Sequence, residues 1–486
     1  MKKVRVRFAP SPTGPLHIGG ARSALFNYLL AAREGGDFIL RVEDTDADRS
    51  TPESEENIKD SLRWLGIEWN EGVDVEGPFA PYRQTQRLPL YQEAAARLIE
   101  AGFAYTCYCS EQELAATRAA QSAAGQTPHY NGACRHLTAA ERAAKEAAGI
   151  KPVVRFIAPD NQELLIEDMV RGQVVFNSDE IGGDFVIMKS DGLPTYNFAV
   201  VVDDYQMQIT HVVRGEEHLS NTPRQLLLYD AFTYPRPIFA HVSLILGPDH
   251  SKMSKRHGSV SVVNYREQGY LPEALVNFLV LLGWSPEGGE EVLSMEQLIQ
   301  QFSLNRVSKS PAVFDRDKLR WLNAQYLRAL SAEAIAAGIM PYLPVDFGAE
   351  RALMLAQTLA NHLETFSDVR SYLPLIEGSA VLPVDREAAD ILKQEHAPRL
   401  IEHFHSLIQA IPNESFSAEA VKAAIKQAGK DMNAKGAALF MVLRVVITGC
   451  MHGPDLDKLA ALIGKENLLA RVGQLTIDNG QLTMDN

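Results

Sequence analysis

The sequence predicts an α/β fold whose parallel sheet is interrupted by an α+β insertion and followed by an all-α C-terminal region. Three observations lead there. The chain opens with the alternating run Val4-Arg5-Val6-Arg7-Phe8, a Pro- and Gly-rich turn, and the apolar periodic run Ala24-Leu25-Phe26-Tyr28-Leu29-Leu30, a strand–turn–helix pattern. Two further strand-like runs, Phe38–Val42 and Ile209–Val213, each end in a polar turn, which is how strands of an open parallel sheet present ligand groups, and Asp184–Met188 reads as another strand before the turn Ser190-Asp191-Gly192. From about residue 330 onward, Ala- and Leu-rich amphipathic runs alternate with breaks at Pro341, Pro344, Pro374 and Pro412, with no period-2 series.

The 486 residues are too many for one core and suggest about three to five structural units. A 46% hydrophobic and 22% charged composition is that of a soluble globular protein. No apolar run reaches the ~18 residues of a membrane span. The start, Met1-Lys2-Lys3-Val4-Arg5, lacks the apolar core of a secretion signal, so a cytoplasmic address is expected, with no membrane partner. Four cysteines, three of them close together, are not a disulfide framework; a reducing compartment with one metal site fits better. The net charge of -14 argues against a nucleic-acid partner only weakly, since binding can be confined to one face.

The turn Pro10-Ser11-Pro12-Thr13-Gly14-Pro15-Leu16-His17-Ile18-Gly19-Gly20 opens a helix whose unpaired N–H groups suit a phosphate. Gly19 and Gly20 leave the backbone open to a flat ligand, and His17 can donate to developing phosphate charge. The plainer alternative is a structural turn capped by Ser11 or Thr13. Far downstream, Lys252-Met253-Ser254-Lys255-Arg256 sets three cations within five residues, which suits a triphosphate and its leaving pyrophosphate. The first stretch resembles the HIGH signature, and the second the KMSKS signature, of class I aminoacyl-tRNA synthetases. Over nearly the whole chain the sequence resembles the bacterial glutamyl-tRNA synthetases.

That resemblance implies a Rossmann-type catalytic domain in two halves, 1–84 and 190–248. Between them, 85–189 is an inserted α+β acceptor-binding domain. A stem-contact linking domain follows at 249–330, then an all-α anticodon-binding region in two parts, 331–380 and 381–486. It implies ATP binding by Pro12, Thr13, Gly14, His17, Gly19, Gly20, Lys252, Met253, Ser254, Lys255 and Arg256, with His17, Lys252 and Lys255 catalytic. Arg7, Ala9, Ser11, Glu43, Tyr196, Asn197, Arg214 and Glu217 match the glutamate pocket.

The residues themselves allow these roles. Arg7 can clamp a carboxylate with two parallel bonds. Alternating with apolar neighbours, it is expected to point away from the core. Glu43, in the Arg-x-Glu-Asp-Thr-Asp stretch after the second strand, can face an ammonium. The same stretch has the acidic spacing of a calcium loop, but Arg49 stands where that loop needs Gly. Tyr196 and Asn197 lie at the start of a helical run beginning near Leu193, and Arg214 and Glu217 lie past a strand. Arg214 pairing with Glu217 is the simpler structural alternative.

Within the insertion, Cys107-Tyr108-Cys109, 24 intervening residues and Cys134-Arg135-His136 supply three thiolates and an imidazole, the ligand types of a tetrahedral zinc. Related proteins use a Tyr four residues before the third Cys, where Tyr130 stands here, so the fourth ligand is His136 or Tyr130. Residues 115–126 read as helix. Residues 305–328 hold six Lys/Arg against two Asp, a candidate backbone track for tRNA or a charged helix face with internal pairs. Lys435–Val445 resembles the family's last motif with two departures. Ala437 stands where a second Lys is common and Val442 where Pro is common; either is expected to weaken a backbone contact or loosen a turn.

The resemblance implies ATP- and Mg2+-dependent activation of L-glutamate to glutamyl-adenylate, with tRNA bound first, and transfer to the 3′ end of tRNA(Glu). The enzyme is expected to be a monomer with structural zinc. Charging of tRNA(Gln) as well is an alternative within the family. A truncated paralogue lacks the helical C-terminal part. A non-catalytic relative would have lost His17, Lys252 or Lys255, and all three are present. A zinc-dependent interaction module leaves both ATP signatures unexplained.

Overall fold

The structure is a computed structural model that describes residues 3–46, 48–378 and 385–477. The chain divides into two compact units, Met1–Tyr265 with Pro272–Arg316, and Arg266–Leu271 with Asp317–Asn486.

In the first unit β1 (Arg5–Phe8) leads through the His17 turn into α1 (Ile18–Arg33), then β2 (Asp37–Leu40), α2 (Pro52–Trp64) and β3 (Glu71–Gly72). The strands are parallel, in the order β1-β2-β3. Gly36 lets the return from α1 pass close to β1: a Cβ there would lie 2.3 Å from the Val4 carbonyl oxygen. α2 is set by the Thr51 N-cap, Pro52 and two acidic residues in its first turn. β2 stops at Leu40, short of Val42, because Val42 leaves the ladder to bond with Tyr82 and Gln84.

The insertion contains α3 (Leu88–Glu100), β4 (Ala104–Cys107), α4 (Glu111–Ala123), α5 (Ala139–Ala147), β5 (Val153–Phe156), β6 (Glu163–Asp168), β7 (Gly172–Asn177) and β8 (Phe185–Met188). β4, β5 and β8 form an antiparallel sheet. α4 and α5 each begin with a capping box, Ser110–Glu113 and Thr138–Glu141.

The chain then returns through α6 (Tyr196–Gln206), β9 (His211–Gly215), α7 (Thr222–Ala231) and β10 (Ile238–Val242). α6 starts at Tyr196 rather than Leu193 because Leu193 and Pro194 fold back on β8. β10 is parallel to β9. The Thr210 N–H donates to the Arg5 carbonyl at 2.9 Å, setting β9 beside β1. The order β3-β2-β1-β9-β10 therefore reverses between β1 and β9, a Rossmann switch point, beside which the His17 turn lies. The β6–β7 hairpin extends this sheet: β6 pairs with β10 at Asp168↔Phe239. Both faces of the sheet are covered, which corrects the placement of Arg7. Its side chain does not point out of the core; the residue is 4% exposed.

In the second unit every regular element of the described residues after 330 is helical. Helix Ala397–Ala410 shows why: Leu400, Phe404 and Ile408 recur every four residues and are wholly buried, in the same apolar core as Leu355, Leu443 and Leu459. Val442 lies within helix Ala437–Thr448 and is also wholly buried, so it packs rather than loosening a turn. Arg471 enters this core and donates to the carbonyls of Leu375, Gly378 and Ile447. Among the described residues no helix is long and apolar enough to cross a membrane.

Candidate active site

His17 itself is the N-cap of α1, in place of Ser11 or Thr13. Its Nδ1 accepts the Gly19 N–H at 3.1 Å. A ring nitrogen that accepts is unprotonated, so the neutral imidazole carries its proton on Nε2. Burial, with Lys252 adding to it and Glu217 opposing, holds the imidazole below its ordinary pKa. The turn is laced to the segment after the cationic loop: Ile18 N–H donates to the Val260 carbonyl at 2.9 Å and Val262 N–H to the Leu16 carbonyl at 3.0 Å.

Beside the turn is a cavity of about 270 Å3. Of the residues assigned from sequence, His17, Gly19, Gly20, Glu217, Lys252 and Met253 line it. Pro12, Thr13, Gly14, Ser254 and Arg256 do not, and the Lys255 side chain lies outside the described part of the structure. Sequence reasoning missed Arg22, Ser23, Gly215, Ser243, Leu244 and Ile245 in the lining. Arg22 could have been found, since it sits one helical turn beyond Ile18. Its Nη1 donates to the Leu282 carbonyl at 2.6 Å, and burial lowers its pKa to about 10.

The cationic loop is held by His257. Its Nδ1 accepts the Ser254 N–H at 3.1 Å, and Nε2 lies 3.1 Å from Asp249. Arg316 donates to the His257 carbonyl at 2.5 Å.

Behind the switch point lies a buried charge cluster. Arg7 Nε reaches both oxygens of Asp204 at 3.2 and 3.3 Å. Arg41, wholly buried, binds Asp204 at 2.6 Å and Glu43 at 3.0 Å and lies 3.7 Å from Asp203. Asp203 also accepts from Arg87 at 2.7 Å, Gln84 at 2.9 Å and Tyr91 at 2.9 Å. Three guanidiniums thus face three carboxylates. Burial raises the Glu43 pKa although Arg41 opposes it. The Asp204 carboxyl is held below its ordinary value despite burial, by Arg7 and then Arg41.

Tyr196 Oη lies 3.1 Å from His218 Nδ1, and Asn197 accepts from Gln225 at 3.0 Å. Arg214 does not pair with Glu217; its bonds go to His241, Thr222 and Gln225. The Glu217 carboxylate instead folds over Gly215, where a Cβ would lie 2.1 Å from Oε2. Ala9 is half-buried and Ser11 exposed, on the turn after β1. In the stretch with calcium-loop spacing, Arg49 Nε donates to Asp46 at 2.8 Å.

In the insertion the Cys107, Cys109 and Cys134 sulfurs lie within 4.8 Å of one another. Tyr130 Oη is 3.3 Å from Cys107 Sγ and 3.5 Å from Cys109 Sγ. His136 is not part of this group. Arg155 donates to Cys107 Sγ at 3.3 Å, and Tyr108 N–H to Cys134 Sγ at 3.4 Å. Along 305–328, Arg306 pairs with Glu287, and Arg320 with Glu364 and Asp368, so part of that positive excess is neutralised internally.

The family model for "tRNA synthetases class I (E and Q), catalytic domain" matches residues 3–321, and that for "Anticodon binding domain" matches 320–476. A protein of Heliobacterium modesticaldum named "Glutamate--tRNA ligase" is 54% identical over 481 residues, 97% of this chain and 96% of its own. One of the same name from Desulfitobacterium hafniense is 52% identical over 480 residues, 96% of this chain and 98% of its own. The crystal structure of a glutamate tRNA ligase from Elizabethkingia meningosepticum, in complex with its amino acid, superposes with a TM-score of 0.88 at 35% identity. It covers 98% of this chain and 100% of that one.

Proposed function

The chain belongs to the glutamate–tRNA ligases, class I tRNA synthetases of the E and Q branch, and we infer that it charges tRNA(Glu) through the residues gathered at the His17 turn. A glutamate carboxylate oxygen attacks the α-phosphorus of ATP, and the bond to the β-phosphate oxygen breaks, giving glutamyl-adenylate and pyrophosphate. The terminal ribose hydroxyl of the tRNA then attacks the activated carbonyl, loses its proton, and releases AMP. Positioning and electrostatic stabilisation carry both steps.

The observation that carries this reading is the tautomer of His17. With Nδ1 committed to Gly19, the Nε2–H is the donor left for a phosphate oxygen, in a cavity shared with Lys252. Lys252 and Lys255 are assigned to the departing pyrophosphate. Gly19, Gly20 and Met253 take the nucleoside, and Mg2+ enters with ATP as part of that substrate, screening its phosphates. Arg7, Tyr196, Asn197 and Arg214 hold the glutamate, Glu43 faces its ammonium, and Ala9 and Ser11 form the adjoining turn. The unpaired Arg214 Nη1, buried with no partner among the described residues, supports this assignment. The enzyme is read as a monomer acting in the cytoplasm on ATP, glutamate and tRNA.

We assign structural zinc to Cys107, Cys109, Cys134 and Tyr130. Zn–S bonds of about 2.3 Å in a tetrahedron put sulfurs about 3.8 Å apart, and Cys109 and Cys134 are 3.5 Å apart. When bound, zinc would cross-link β4 to the 130–134 loop.

The test is glutamate charging of tRNA(Glu) and tRNA(Gln) transcripts with ATP and Mg2+. Charging of tRNA(Glu), lost about 100-fold or more in His17→Ala, supports the reading. Failure to charge tRNA(Glu) with folded, zinc-supplied protein overturns it, and the tRNA(Gln) arm reads the breadth of tRNA choice.

A further inference from the structure

We propose that Asp168 and His241 are positioning residues that set the guanidinium plane of Arg214 for glutamate, acting as a buried carboxylate–imidazole–guanidinium relay. The inference rests on the assignment of Arg214 as a glutamate ligand.

Asp168 ends β6, on the hairpin contributed by the insertion. Its carboxylate accepts the N–H groups of Val170 at 2.9 Å, Arg171 at 2.7 Å and His241 at 3.0 Å, and lies 2.6 Å from His241 Nδ1. So many donors favour the ionised form, and the carboxyl stays below its ordinary pKa despite burial. An ionised Asp168 can only accept, so Nδ1 of His241 must carry a proton. The opposite nitrogen, Nε2, is then a lone pair. It accepts from Arg214 Nε at 3.1 Å, with the Thr222 hydroxyl also 3.2 Å away. Both His241 and Asp168 have wholly buried side chains, so no water competes for these bonds.

Arg214 Nη2 donates to Thr222 at 3.0 Å and to Gln225 at 2.7 Å. Those bonds locate one corner of the guanidinium, and the bond from Nε to His241 fixes its plane. Nη1 remains as the only nitrogen with no partner among the described residues. The arrangement aims one donor group and holds the rest of the fork rigid, which is what precise recognition of a carboxylate requires. A role confined to core filling would need neither the orientation of the imidazole nor the charge on Asp168.

The experiment measures kcat and KM for glutamate and for ATP in tRNA(Glu) charging by the full-length protein. His241→Phe keeps the volume and removes both ring nitrogens. It is expected to raise the glutamate KM at least tenfold, with the ATP KM within twofold of wild type. His241→Gln, whose amide can donate toward Asp168 and accept from Arg214, is expected to restore the glutamate KM to within threefold. A His241→Phe enzyme with glutamate KM within twofold of wild type overturns the relay. So does one in which both KM values and kcat deteriorate together, or a His241→Gln enzyme as impaired as His241→Phe. Should His241→Phe fail to fold, Asp168→Asn decides: a threefold or larger rise in glutamate KM alone supports the relay, and a smaller one overturns it. Arg214→Lys separates the two levels. If it too leaves the glutamate KM unchanged, the assignment of Arg214 fails; if it raises KM while the His241 variants do not, only the relay fails.

Discussion

Replacing Arg41 by Met should unbalance the buried charge cluster in a way that pH can partly repair. Arg41 touches Asp204 and Glu43 and lies close to Asp203. Without it three buried carboxylates face only Arg7 and Arg87. Removing one partner of a buried ion network costs about 3–5 kcal/mol, because the remaining charge is uncompensated. At about 2 °C per kcal/mol for a large unit, the first unit should melt about 6–10 °C lower. Protonating one carboxyl relieves the imbalance. Glu43 is the group to take the proton, since burial already raises its pKa and Arg41 is its principal opposing charge. Its folded pKa in the variant then lies above its unfolded value. The stabilising proton is fully held below the ordinary glutamate pKa and lost as pH rises through the raised one. The variant's deficit should therefore shrink as pH falls from about 8 to about 6, by up to about 1.4 kcal/mol per pH unit for one proton. Calorimetric melts of wild type and Arg41→Met at both pH values read this directly. An equal deficit at both, or one under about 1 kcal/mol throughout, would refute the coupling of Arg41 to Glu43.

Three other outcomes follow from the geometry. His17→Asn should lower the rate of adenylate formation about 100- to 1000-fold with little change in ATP KM, measured by single-turnover kinetics. Tyr130→Phe should release zinc at chelator concentrations at least about tenfold lower than wild type, whereas His136→Ala should match wild type, as read by a chromogenic zinc competitor. Arg471→Met strands the buried Ile447 carbonyl and the half-buried carbonyls of Leu375 and Gly378 and should cost the second unit about 2 kcal/mol; calorimetry should show its transition lowered while that of the first unit stays in place.

The fold was readable wherever the signal was local. The strand–turn–helix around His17 follows from alternation giving way to helical periodicity, and the helical second unit from its stripes of Leu, Ile and Phe. The hydrogen bonds that bring distant segments together were not readable. Arg7 looked like a surface residue because strand alternation assumes one wet face, and this sheet has none. Leu193 looked like the start of a helix because nothing local shows that it folds back on β8. In the site, His17 and Lys252 were legible as motif residues, and Arg22 was within reach as the next turn of the same helix. Ser243, Leu244 and Ile245 carry no chemistry that marks them and enter the cavity only because β10 ends there. The choice between Tyr130 and His136 depended on which side chain the chain folds toward the thiols, a matter of loop path.

The strand order of the first unit has a consequence for how the protein is made. β1 gains β2 early, but its other neighbour, β9, lies far along the chain. At about 5–20 residues per second, the roughly 200 residues between Phe8 and His211 take about 10–40 s to synthesise. Through that interval the half-built sheet leaves the ribosome with one edge open. Arg5 meets Asp37 and Glu71 almost at once. The ion pair of Arg7 waits until Asp204 emerges. An unpaired charge on an open strand edge discourages pairing with other chains. Arg7 is thus the charge that this open edge carries while its proper neighbour is still being translated.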